Sequence, residues 1–103
     1  MAIKNTLLGN EASAITDELE TDSAIVNMIF CNLSNTVEEI DVYLVKFGEE
    51  PGDINKILNH VPVNGMNTFS FGSDKIVLSA GDRIYAATTT AANVSATISF
   101  VVM

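Results

Sequence analysis

Apolar positions along the 103-residue chain fall in short, punctuated runs, and several of them repeat every second residue. The last segment shows this best. Val94, Ala96, Ile98, Phe100 and Val102 alternate with Ser95, Thr97 and Ser99. A strand gathers such positions on one face, whereas a helix would scatter them around its circumference. Ile40, Val42 and Leu44 alternate with Glu39, Asp41 and Tyr43 in the same way. The run from Ile25 to Leu33 is more continuously apolar and reads as a strand buried on both faces. Val, Ile, Thr, Phe and Tyr dominate these runs, which favours strands again.

The breaks between runs carry turn chemistry. Asn64-Gly65 between Val61-Pro62-Val63 and the segment 66–71 reads as a hairpin turn. Pro62 cannot donate to a ladder, so its strand is expected at an edge or starting late. Residues 48–53, Ala80-Gly81-Asp82 and Leu33-Ser34-Asn35-Thr36 are further reversals, and 88–93, made of small residues, reads as a mobile loop tip. About eight short antiparallel strands result, at 12–19, 24–33, 37–47, 55–61, 67–71, 75–79, 82–88 and 94–102. Ile54, Ile57 and Leu58 fit a helical face as well as a strand. The fold expected is all-β, a single-domain β-sandwich of jelly-roll-like form over residues 12–103. Residues 1–11 are an N-terminal arm or a first strand.

Charge then narrows the partners. Only 17% of residues are charged, against roughly 25% in an average globular protein. A mean hydropathy of +0.30 in so small a chain points to a large core or to apolar surface covered by a partner. Thirteen acids against five bases give a net charge of −8. The bases, Lys4, Lys46, Lys56, Lys75 and Arg83, form no run that would neutralise phosphates, so neither nucleic acid nor an anionic membrane is an expected partner. No secretory signal follows Met1, and no window approaches the ~18 apolar residues of a membrane span.

Catalytic and metal chemistry find few residues to use. Cys31 is the one cysteine, inside an apolar run, and is expected to act as a small buried hydrophobe. His60 is the one histidine, so any triad or zinc site would have to be built on it alone. The carboxylates cluster at Asp17, Glu18, Glu20 and Asp22 and again at Glu38, Glu39 and Asp41, but the first group lacks the glycine of a calcium loop. The first group reads as a solvated acidic edge. No enzyme, metal or cofactor is expected. Asn32-Leu33-Ser34 and Asn93-Val94-Ser95 match the N-glycosylation pattern and carry no weight without a secretory signal.

Five segments in order, Asn32–Thr36, Asp41–Val45, Val61–Val63, Lys75–Ala86 and Ala96–Ser99, make the chain resemble the small β-sandwich virion proteins of tailed bacteriophages. The group includes capsid decoration (cement) proteins and some neck, tail and fibre components, and the likeness spans roughly residues 12–102. The resemblance implies a protein made in the host cytoplasm and placed on the virion, with the capsid exterior favoured. Its partners would be the major capsid protein or other virion proteins, and it would form a homo-oligomer, a trimer being favoured. The alternatives are a neck, tail or fibre component and, from another class, a surface ligand- or glycan-binding module using Tyr43 and Tyr85. The oily C-terminal strand and the N-terminal segment nominate Ile3, Leu7, Ile98, Phe100, Val102 and Met103 as interface residues.

Overall fold

The computed structural model describes residues 2–16, 21–71 and 76–102. Within them lie β1 (Ala2–Leu7), β2 (Ser13–Ala14), β3 (Ser23–Asn32), β4 (Glu38–Val45), β5 (Lys56–Val63), β6 (Thr68–Phe71), β7 (Ile76–Leu78), β8 (Arg83–Thr88) and β9 (Val94–Val102). One sheet has the order β1-β9-β3-β6, with β7 also on β3; the other runs β2-β8-β4-β5. All pairings are antiparallel. β6 pairs with 28–31 of β3 and β7 with 23–25, so together they form one interrupted edge. Counted as one strand, they complete two four-stranded sheets visited in the order first, second, first, second, second, first, second, first. That is the arrangement of a jelly roll, two Greek keys folded into a pair of packed sheets.

The period-two pattern builds the core. Val94, Ala96 and Ile98 of β9 face Ile25, Met28 and Phe30 of β3 on one inner surface, while Ile40, Val42, Ile84 and Ala86 supply the other. Burying each large aliphatic or aromatic side chain contributes about 1.5–3 kcal/mol. Leu8 and Ile15, which follow short strands, turn inward and close the ends of this layer. Phe69 packs against Phe30 with ring centroids 6.5 Å apart.

Several expectations change. The strand expected at 12–19 is short: only Ser13 and Ala14 pair with β8, then the Ile15 and Thr16 amides both donate to the Ile84 carbonyl. Residues 17–20 lie outside the described part. The first residues form a paired strand on β9. Residues 53–55 make one 3-10 turn before β5 begins, which resolves the helix-or-strand ambiguity there.

Asn64-Gly65 joins no hairpin. β5 belongs to the second sheet and β6 to the first, so the turn carries the chain across the sandwich. Gly65 is needed because a Cβ there would sit 2.5 Å from the Asn35 carbonyl carbon. The left-handed backbone falls on Met66 instead. Pro62 does lie on an edge strand. β3 is not buried on both faces: Val26, Asn27, Ile29 and Cys31 point to the outside of the first sheet with partial exposure. A bulge at Val26–Asn27, opposite Ser99, resets the alternation.

Candidate functional site

Three regions gather polar or unpartnered groups. The first is buried at one end of the sandwich. Asn32, almost fully enclosed, donates through Nδ2 to the carbonyls of Thr36 (2.8 Å), Val63 (2.9 Å) and Asn64 (3.3 Å). Its Oδ1 accepts from the Ser34 amide and hydroxyl. Two hydrogens serve three acceptors, so the amide is saturated and ties the 33–36 turn to the crossing loop. Its role in the fold is structural, and a folded chain offers it to no glycosyl group.

Glu38 does the same work for the loop after β8. Its carboxylate accepts from the Thr88 hydroxyl (3.1 Å), the Thr90 amide (2.8 Å) and Asn93 Nδ2 (3.3 Å). Burial alone would raise its pKa; the bonds from Thr90, Asn93 and Thr88 outweigh that and hold it below the usual carboxylate range. The 88–93 segment, expected to be a mobile tip, is thus pinned, with the Ala92 amide also donating to the Leu8 carbonyl. Because alternation turns Glu38 inward and Glu39 and Asp41 outward, the second acidic group does not converge on one point. Of the first group, Asp17, Glu18 and Glu20 lie outside the described residues, and Asp22 accepts from the Ala80 amide.

The outer face of the second sheet carries charge and aromatic rings. Tyr43 and Tyr85 are register partners, with Lys56 Nζ 5.3 Å above one ring and the Arg83 guanidinium 5.2 Å above the other. A platform for a sugar needs an open ring face, and these two are capped by cations. Beside them Asp41 Oδ1 accepts the His60 amide at 2.6 Å and lies 3.2 Å from His60 Nδ1. His60 is exposed, in left-handed backbone at φ 50°, and among the described residues no hydroxyl or thiol is hydrogen-bonded to its ring. His60 itself lines a recess of about 240 Å³ with Asn10, Glu39, Asp41, Thr88 and Thr89, in which neither threonine hydroxyl is hydrogen-bonded to the imidazole. No described set of three or more His, Cys, Asp or Glu side chains is placed to hold a metal.

The outer face of the first sheet is the opposite. Across it run Ser95, Thr97, Ser99 and Val101 of β9, with Ile3, Asn5 and Leu7 of β1 on one side. On the other side lie Asn27, Ile29 and Cys31 of β3, then Thr68, Ser70 and Val77. Among the described residues this face bears no charged side chain, although the chain carries −8. The Thr97 hydroxyl donates to Asn5 Oδ1 at 2.9 Å, and Ser70 to Asn27 at 3.2 Å. Cys31 sits half-exposed on it, not in the core as its apolar neighbours suggested.

The nominated interface residues separate accordingly. Ile3 (67% exposed) and Leu7 (55%) stand on the uncharged face at its β1 edge. Ile98 is corrected: at 1% exposure it is a core residue, because its alternation phase is that of Val94 and Ala96, and it has no area to offer a partner. Phe100 is half-buried and packs against the core from the end of β9. Val102 is exposed at 58%, and Met103 lies outside the described residues. The positions missed were Thr97, Ser99, Asn27 and Ile29, whose common face appears only when β9 is aligned with β3. No protein-family model, curated protein or solved structure matches the chain.

Proposed function

We propose that this chain is a structural assembly protein of a tailed-bacteriophage virion, a decoration (cement) protein that docks on the head exterior and bridges capsid subunits. The observation that carries the assembly reading is the outer face of the first sheet, uncharged among the described residues, on a strongly acidic jelly roll. Interfaces exclude charge from their centres, so a face without charge is suited to burial against protein. The acidity of the remaining surface favours solubility and repels nucleic acid. The virion assignment is supported by the order of the five sequence segments given above and by a fold that capsid proteins share with many other proteins. In this reading the work is done by buried area multiplied over many copies, and no catalytic step, metal or cofactor enters.

Purified protein added to phage heads lacking it tests the proposal. Saturable binding at a copy number comparable with the capsid subunits supports the cement role. Recovery of a few copies at the neck or tail would move the protein there, and absence from purified particles would overturn the virion reading.

A further inference from the structure

β1 forms one border of the first sheet, and its hydrogen-bonding direction can be read from its end. The Leu8 amide donates to the Val94 carbonyl and the Leu8 carbonyl accepts from the Ala92 amide, both on the β9 side. Backbone groups alternate in direction along an antiparallel strand, so Ala2, Lys4 and Thr6 also face β9. Ile3, Asn5 and Leu7 therefore direct their amides and carbonyls away from it, toward an edge that no strand covers among the described residues. The same three residues carry their side chains on the uncharged outer face. The outer face of the strand carries no proline, bulge or charge, and the one guard on β1 is Lys4, which pairs with Ile98 on the opposite face.

We propose that β1 pairs antiparallel with β1 of a second copy of this chain, about a two-fold axis through Asn5, so that two first sheets become one continuous sheet. The inference rests on the reading of the first sheet as the assembly side. In this register Asn5 meets Asn5, and Ile3 meets Leu7 of the second copy at both ends. Three residues on each strand then exchange amide–carbonyl bonds, and each exposed aliphatic side chain is covered by another. Lys4, on the opposite face, falls beside Thr6 of the second copy, so the two lysines are not placed against each other.

The lack of charge on the outer face of this edge permits a second copy here. Two chains at −8 repel overall, least where the meeting surfaces bring no charged side chains together, and this edge borders such a surface. The pattern Ile3-Asn5-Leu7 is its own complement, which a two-fold contact requires. A closed three-fold ring would need two different edges, and the far edge of this sheet is interrupted between β6 and β7. A contact of one strand pair is small, so the dimer should dissociate at about micromolar concentration.

Sedimentation equilibrium of the full chain, from nanomolar to submillimolar concentration, tests the pairing. The expected result is a monomer–dimer equilibrium that Asn5→Pro weakens at least about tenfold by removing the central amide. Should that variant fail to fold, Ile3→Lys with Leu7→Lys must weaken it similarly. Hydrogen exchange at Ile3, Asn5 and Leu7 should slow with concentration while that of the β5 edge does not. A chain that stays monomeric throughout, or a dimer indifferent to both variants, overturns the pairing. A monomer that still coats phage heads defeats this inference alone; a dimer that ignores heads supports it and defeats the virion reading.

Discussion

The two outer faces of this jelly roll are made by the same alternation rule and differ in almost every other respect. The second sheet shows water Glu39, Asp41, His60, Lys56, Arg83 and two tyrosines, with Asp41 held by His60 and Lys56, the two cations over the tyrosine rings, and Arg83 Nε buried without a hydrogen-bond partner. The first sheet shows serine, threonine, asparagine and aliphatic side chains, with short hydroxyl-to-amide bonds and no charge among its described residues. A face that carries charge costs desolvation to cover. A face that needs no desolvation of charge can be covered at low cost. The contrast teaches that the polar chemistry most visible in the sequence sits on the side least suited to assembly.

The contrast can be broken most severely from within. Phe30→Ala should lose about 3–5 kcal/mol in urea unfolding, because its ring fills the centre of the sandwich. Its neighbour Ile29, on the uncharged face, should cost well under half as much when cut to alanine, and a large loss there would mean that the face is core. Asn32→Ala comes next, at about 2–3 kcal/mol, since it strands the buried Val63 carbonyl and releases the 33–36 turn. No polar residue of either outer face should match it.

Acid should act through Glu38 before it acts on the faces. Its carboxyl is held lower in the folded chain than in the unfolded one. The stability it contributes is therefore complete above the unfolded value of about 4.3 and is lost as pH falls through the lower folded value. Glu38→Gln should flatten the acid limb of a stability-against-pH curve below about pH 4.3, and an unchanged limb would refute the assignment. The smallest stability effects belong to the faces themselves. Thr97→Asp, which removes the hydroxyl bond to Asn5, should cost about 1 kcal/mol, and Glu39→Lys about 0.5 kcal/mol or less.

Strand content and most boundaries were legible because period-two alternation at 38–45 and 94–102 is set by the pleat. The reversal at Gly81-Asp82 was legible too: Gly81 adopts φ +92°, and the Asp82 carboxylate accepts the Ser79 and Phe47 amides. The role of Asn64-Gly65 was not. A turn dipeptide reports local backbone preference, and which sheet each flanking strand joins is decided by distant pairing, Val63 with Glu38 on one side and Thr68 with Cys31 on the other. Ile29 and Cys31 misled in an informative way, since apolar residues on an outer face look like a doubly buried strand. Ile98 was readable from its phase alone. The uncharged face itself was hidden, because Asn5, Asn27, Ser70 and Thr97 come from four separate segments and share a surface only through register.

The most direct test of the central claim is co-sedimentation of two variants with phage heads lacking the protein, Thr97→Asp on the uncharged face and Glu39→Lys on the charged one. The account predicts that Thr97→Asp stays folded and loses head binding, while Glu39→Lys binds as the unaltered chain does. Binding lost by Glu39→Lys and kept by Thr97→Asp would contradict it and place the docking surface on the second sheet.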